Sequence, residues 1–310
     1  MPVPSPAPAV VAFVWDFDGT LIVGNQQDPL FAEYGVDAGT FWAEVEALPT
    51  FHRERGECVS RDTAYLLHLL SYVDAGVFPG LDNARLRQIG GRLRPSPGIP
   101  EFLPATRRRA AARGLALEHY AVSTGLRPMI EGSPIAPFLD GIWASTFVEH
   151  AAPPGYLGGT AAAAGAGRII RPGCVMDHTT KTRAIFEINK GANLDPRLDV
   201  HSHLPEGQRR VPFGRMVYVA DGPSDIPVFS VLNARGGRTF GVYQAEPSGN
   251  FAQVSELLEQ GRVQGMAEAD FRPGEAAYRW LMGCLDQMAA EVAAARGQGP
   301  AAPPPAPGPA

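Results

Sequence analysis

The chain has 310 residues, 45% of them hydrophobic, and a formal net charge of −5 at pH 7. That is enough apolar material for one sizeable core and a smaller second unit, while the acidic balance gives no basic footprint for nucleic acid. No apolar stretch reaches bilayer-spanning length, and prolines stand where a signal peptide has basic residues, so a cytoplasmic protein with no membrane partner is expected.

Residues 1–9 and 297–310 are rich in Pro and Ala and are expected to form disordered tails. Between them, residues 10–15 are a continuous apolar and aromatic run, the pattern of a central parallel strand covered on both faces. The strand ends at Asp16-Phe17-Asp18-Gly19-Thr20-Leu21. In an open α/β sheet the reactive crevice lies beyond the carboxyl ends of the strands, so Asp16 and Asp18 fall where ligands bind. One ionised carboxylate there can act as nucleophile while the other handles protons, and clustered oxygens suit Mg²⁺.

From residue 31 to residue 93 apolar residues recur at helical spacing without a convincing strand, and Arg94-Pro95-Ser96-Pro97-Gly98 reads as a return hinge. Residues 51–55 are polar enough to face a ligand but equally suit an exposed helix. A helix over 99–113 follows, with Gly114 as its stop and Arg107, Arg108, Arg109 and Arg113 on its wet face, and then a strand over 116–122. Ser123-Thr124-Gly125 closes that strand. Residues 143–148 suggest another strand, and 155–167 a Gly/Ala-rich hairpin tip that lacks a dinucleotide fingerprint.

Lysine occurs only at 181 and 190; every other basic position that is not His is Arg. A chain that avoids lysine keeps it where a planar guanidinium does not serve. Lys181 opens a helix over 182–190, with Thr179 or Thr180 near its cap, and a cation there opposes the helix dipole; Lys190 at the other end is explained by that dipole. His178 reads as a helix-entry residue, and His201-Ser202-His203 as solvated loop histidines. The strand 216–220 is tipped by Asp221-Gly222-Pro223-Ser224-Asp225, a second pair of carboxylates at a strand end. Another strand spans 239–243, and residues 277–292 carry the apolar stripe of a closing helix. The three cysteines, Cys58, Cys174 and Cys284, form no CxxC pair and are read as small core residues.

DFDGTL, Ser123, Lys181 and the DGPSD segment, in that order, resemble the four motifs of the haloacid-dehalogenase-like (HAD) hydrolase superfamily, closest to its phosphoserine phosphatase-like members. The resemblance covers residues 10–243, with Thr124 and Ala220 standing where relatives carry Gly. It implies an α/β fold, a doubly wound parallel sheet with a helical C1-type cap: core over 10–23 plus 95–296, cap over 24–94. It implies Asp16 as nucleophile and Asp18 as acid and base, with Mg²⁺ held by Asp16, the Asp18 carbonyl and Asp221. Ser123, Thr124, Gly125 and Lys181 would hold the substrate phosphate, and Asp225 would support Lys181 or a metal-bound water. The implied activity is hydrolysis of a small phosphorylated metabolite through an aspartyl-phosphate. A phosphomutase and a non-catalytic phospholigand-binding module remain as alternatives, and the sequence is compatible with an oligomer.

Overall fold

The computed structural model describes residues 8–158, 167–245 and 250–297. The expected tails, apart from residues 8, 9 and 297, and residues 159–166 of the expected Gly/Ala tip over 155–167 lie outside these described residues. Strand β1 (Ala9–Trp15) lies at the centre of a seven-stranded sheet. The others are β2 (Leu115–Leu126), β3 (Gly141–Val148), β4 (Arg171–Cys174), β5 (Met216–Ala220), β6 (Arg238–Tyr243) and β7 (Met266–Glu268), in the order β4-β3-β2-β1-β5-β6-β7. All neighbours are parallel except the β3–β4 edge pair, which is antiparallel. The chain builds outward from β1 on one side, then returns to its other side at β5, so the order reverses at β1 and opens the crevice that such a reversal creates.

Alternate residues of β1 enter two different cores, as a strand buried on both faces requires. Val11, Phe13 and Trp15 join one cluster with helices α5 (Ile99–Ala111) and α10 (Ala276–Gly297). Ala12 and Val14 join the other with α7 (Lys181–Lys190) and α8 (Ile226–Asn233). The remaining helices are α1 (Asp28–Tyr34), α2 (Ala38–Arg53), α3 (Ala64–Asp74), α4 (Asn83–Gly90), α6 (Arg127–Gly132) and α9 (Phe251–Glu259). No described helix is long and apolar enough to cross a membrane.

Helices α1 to α4 are the expected helical insert. Its two ends are tied together by Val23 N–H to the Arg94 carbonyl and Ser96 N–H to the Leu21 carbonyl, each at 2.9 Å. Helix α4 approaches α6 so closely that a Cβ at Gly90 would meet the Met129 carbonyl at 2.2 Å, and one at Gly132 the Arg87 carbonyl at 1.9 Å. The last helix of the insert is therefore seated directly on the core.

Three expectations need correction. Cys58 and Cys174 are exposed and only Cys284 is buried, because Cys58 follows the end of α2 and Cys174 lies on the edge strand β4. The arginines of α5 do more than coat a wet face, since Arg107 pairs with Asp140, while Arg109 and Arg113 both pair with Asp286 of α10. Strand β2 runs past residue 122 to Leu126, with a register irregularity against β3 over 122–126, so Ser123 lies inside the strand rather than after it.

His119 on β2 is wholly buried. The Trp15 indole donates to its Nδ1 at 3.2 Å, which puts the ring proton on Nε2, facing the Leu103 carbonyl at 3.2 Å. Burial, then the Arg107 charge, pushes its pKa down to about 3. Between that value and the unfolded value near 6.5 only the unfolded chain takes up this proton, so stability is full above about pH 6.5 and is lost as pH falls toward 3. Denaturation at several pH values should show wild type losing roughly 1.4 kcal/mol more per pH unit below pH 6 than His119→Gln. Parallel pH curves for the two proteins would refute the neutral, buried histidine.

Candidate active site

The two strands that end in carboxylates, β1 and β5, are paired neighbours, and this pairing brings Asp16 and Asp18 against Asp221 and Asp225. Carboxylate oxygens of Asp16, Asp221 and Asp225 all lie within 4.8 Å of one another. Lys181 enters from the first turn of α7 and is almost fully buried. Its Nζ donates to Asp16 Oδ1 at 3.0 Å and to Asp225 Oδ1 at 2.7 Å. Thr180 is the N-cap of α7, as expected, but its side chain makes no capping bond; Asp177 Oδ1, just before it, accepts the N–H groups of Thr179 and Thr180. That carboxylate suits the positive end of the helix, and Lys181 is free to turn inward toward the acids. Lys190 donates to the carbonyls of Val200 and Ser202, so it ties down the following loop in addition to any dipole effect.

Both carboxylate oxygens of Asp225 are hydrogen-bonded. Oδ1 also accepts the Tyr218 hydroxyl at 2.5 Å, and Oδ2 accepts Ser224 at 2.7 Å. Asp18 is held by Gln26, whose backbone N–H meets Oδ1 at 2.6 Å and whose side-chain Nε2 meets Oδ2 at 2.8 Å. The same amide's Oε1 accepts the Leu126 N–H at 2.6 Å. A Cβ at position 125 would lie 1.6 Å from Gln26 Nε2, so Gly125 is required there by the glutamine's approach. Gly19, at φ +64°, makes the sharp turn, and a Cβ on it would strike Asp221 Oδ2 at 2.2 Å.

Ser123 is buried, and its Oγ accepts the Gly125 N–H at 3.0 Å. Thr124 and Gly125 line a cavity of about 400 Å³ together with Asp16, Asp18 and Asp221, whereas Ser123 is not among the lining residues. The helical insert contributes Trp42, Asp62 and Tyr65, and the connection from β6 to α9 contributes Gln244 and Asn250. Asn250 Nδ2 donates to Asp221 Oδ2 at 3.2 Å, and Gln244 Nε2 to the Gly19 carbonyl at 2.7 Å. Sequence reasoning passed over these amides, and over Gln26, because an isolated Asn or Gln carries no spacing signal. The fully buried, polar Gln26 becomes conspicuous only in three dimensions.

The electrostatics leave negative charge uncompensated. Burial, then Asp225, raises Asp16 well above the usual carboxylate range despite Lys181. Burial pushes Asp18 up to about 6, against the opposing hydrogen bonds from Gln26, and burial with Asp225 pushes Asp221 up to about 7. Burial acts to lower Lys181, but Asp16 and Asp225 outweigh it and hold the ammonium above its ordinary range. Four carboxylates therefore share one ammonium. A hard oxygen donor set with surplus negative charge fits a divalent cation such as Mg²⁺, and Asp225, whose two oxygens are already occupied, fits a supporting position better than a ligating one.

No family model matches the sequence. Among solved structures the chain is similar to a HAD-family hydrolase from Salmonella enterica, at TM-score 0.49 and 17% identity over 86% of this chain and 70% of the other. It is also similar to a phosphoserine phosphatase in a phospho-aspartyl intermediate analogue form, at TM-score 0.46 and 17% identity over 85% and 96%. Superpositions this loose carry no assignment of activity. An uncharacterized protein of Borreliella burgdorferi is 36% identical over 282 residues, covering 88% of this chain and 95% of the other, and the chain belongs to one family with that protein.

Proposed function

We propose that this protein is a HAD-type phosphatase that hydrolyses a small phosphomonoester through an aspartyl-phosphate. The observation that carries the reading is Lys181 Nζ bridging Asp16 and Asp225 beside the cavity that Asp16, Asp18 and Asp221 line. Asp16 attacks phosphorus, and the bond from phosphorus to the ester oxygen breaks. Asp18, which its burial keeps protonated more readily than an ordinary carboxyl, gives its proton to the leaving oxygen. It then takes a proton from the water that attacks the aspartyl-phosphate, which releases phosphate and restores Asp16. Lys181, its position fixed by Asp225, supplies fixed positive charge beside the nucleophile, and Thr124 and Gly125 form the cavity wall next to the phosphoryl group. A divalent cation held by Asp16, Asp221 and the Asp18 carbonyl would neutralise the phosphoryl charge. The core over 10–23 and 95–296 would supply this chemistry, and the insert over 24–94 would act as the cap that closes on the leaving group.

The test is phosphate release from a panel of phosphomonoesters with Mg²⁺, with Ca²⁺ and after chelation. Activity is expected in Mg²⁺, little in Ca²⁺, whose looser coordination engages both carboxylate oxygens, and none in chelator. A binding readout accompanies it. Mg²⁺ should raise the melting temperature, and the rise should shrink as pH falls from 8 to 5.5. Asp18 and Asp221, with folded pKa values of about 6 and 7 against 3.8 unfolded, take up protons in that window, which stabilises the metal-free fold and opposes metal binding. A pH-independent shift, or full activity in chelator, contradicts the reading.

Gln26 gives a separate expectation. Gln26→Ala releases the Asp18 carboxylate, so kcat/KM should fall roughly 10²-fold for alkyl phosphates, whose leaving oxygen needs a proton, and much less for p-nitrophenyl phosphate, whose leaving group does not. Gly125→Ala should reproduce the pattern by displacing the same amide. An equal fall on both esters would show that Gln26 only supports the fold.

A further inference from the structure

Among the described residues, every charged side chain that lines the cavity is a carboxylate: Asp16, Asp18, Asp62 and Asp221. Lys181 is already shared between Asp16 and Asp225, and no other lysine or arginine reaches the lining. Segments 1–7, 159–166, 246–249 and 298–310 contain no Lys or Arg, so the described residues hold every one in the chain. The cavity, about 400 Å³, takes a phosphoryl group and a short leaving group. A leaving group with its own carboxylate or second phosphate would be pressed among acids with no counter-ion, which burial makes costly.

The insert supplies an aromatic and acidic part of the same cavity. Trp42 on α2 lines the cavity and is braced by Phe41, edge-on with ring centroids 5.3 Å apart, and by Tyr65 at 6.1 Å. Tyr65 is itself fixed by donating its hydroxyl to the Thr124 carbonyl at 2.6 Å. Asp62 reaches the same cavity, with His178 Nδ1 at 3.3 Å from its Oδ2 and His178 outside the lining. A braced aromatic ring and a carboxylate lining one cavity attract an ammonium through the ring quadrupole and the charge.

Resting on the phosphatase reading, we propose that the substrate is the phosphomonoester of a small amino alcohol, its cationic end lying against Trp42 and Asp62. The two carbons between phosphate and ammonium in the smallest such ester suit the small cavity. Phosphorylated amino acids and bisphosphates are disfavoured, because their second anion would meet no cationic side chain among the described lining residues.

The test uses three esters of nearly equal size with the Mg²⁺-loaded full chain: 2-aminoethyl phosphate, 2-hydroxyethyl phosphate and phosphoglycolate. These carry a cation, a hydroxyl and a carboxylate at the same place. The expected kcat/KM falls in that order, by roughly tenfold at each step. Asp62→Asn and Trp42→Leu should each shrink the ratio of the first to the second, chiefly through KM, while Asp62→Glu restores part of it. Equal rates for the amine and the alcohol, or a preference for phosphoglycolate, overturn the proposal. p-Nitrophenyl phosphate separates the two readings: turnover of it with the wrong ranking sinks the substrate class alone, whereas no turnover of any ester sinks the phosphatase reading as well.

Discussion

Asp16→Asn is expected to lower phosphate release by at least roughly 10³-fold while making the metal-free protein more stable. The loss follows because an amide oxygen is a poor nucleophile and a weak partner for a hard cation. The gain follows from the site's electrostatics. Burial and the neighbouring Asp225 and Asp221 hold Asp16 above the usual carboxylate range, so at pH 8 its charge works against the fold, despite Lys181 at 3.0 Å. Asn keeps the shape and removes the charge, and Lys181 keeps Asp225 at 2.7 Å. Melting in chelator at pH 8 should therefore rise, the rise should diminish as pH falls, and stabilisation by Mg²⁺ should be lost. A variant that is both inactive and less stable in chelator would mean that Asp16 is chiefly structural. Retained turnover would end the nucleophile assignment.

Lys181→Arg is expected to keep the charge yet lose most turnover. Nζ sits within 3.4 Å of Asp16, Asp225 and Ser224 in a fully buried niche, and a planar guanidinium is larger and points its donors differently. Lys181→Met separates charge from shape. It strands the buried carboxylates and should cost about 3 kcal/mol or more in chelator at pH 8. The cost should shrink as pH falls, because burial already holds Asp16 above the usual carboxylate range, and Mg²⁺ should recover part of it. Lys190→Arg is the control, since its partners are two backbone carbonyls in a half-exposed loop that a guanidinium can also reach. Chemical denaturation and steady-state kinetics on the three variants check this. Near-wild-type activity in Lys181→Arg, or a larger loss in Lys190→Arg, would misplace the lysine of the site.

The central strand, the helical insert, the return hinge and the acid-tipped second strand were legible in the sequence, because each rests on local rules. An unbroken apolar run is buried on both faces, prolines stop helices, and carboxylates at strand ends need a partner. The lysine was legible for a compositional reason: in a chain that uses arginine at nearly every cation, Lys181 is an exception. The sequence could not say that β1 and β5, about 200 positions apart, are neighbours, and only that pairing puts four carboxylates around one ammonium. Gln26, Asn250 and Gln244 were invisible for the same reason, since an amide has no periodicity and gains a role only from what folding places beside it. Strand β7 and helix α9 are too short to carry a clear period, and the exposure of Cys58 and Cys174 depends on where the sheet and insert end. Local propensity and hydrophobic pattern thus set the elements, while the order of strands set the chemistry, because charge, burial and hydrogen bonding act through space and not along the chain.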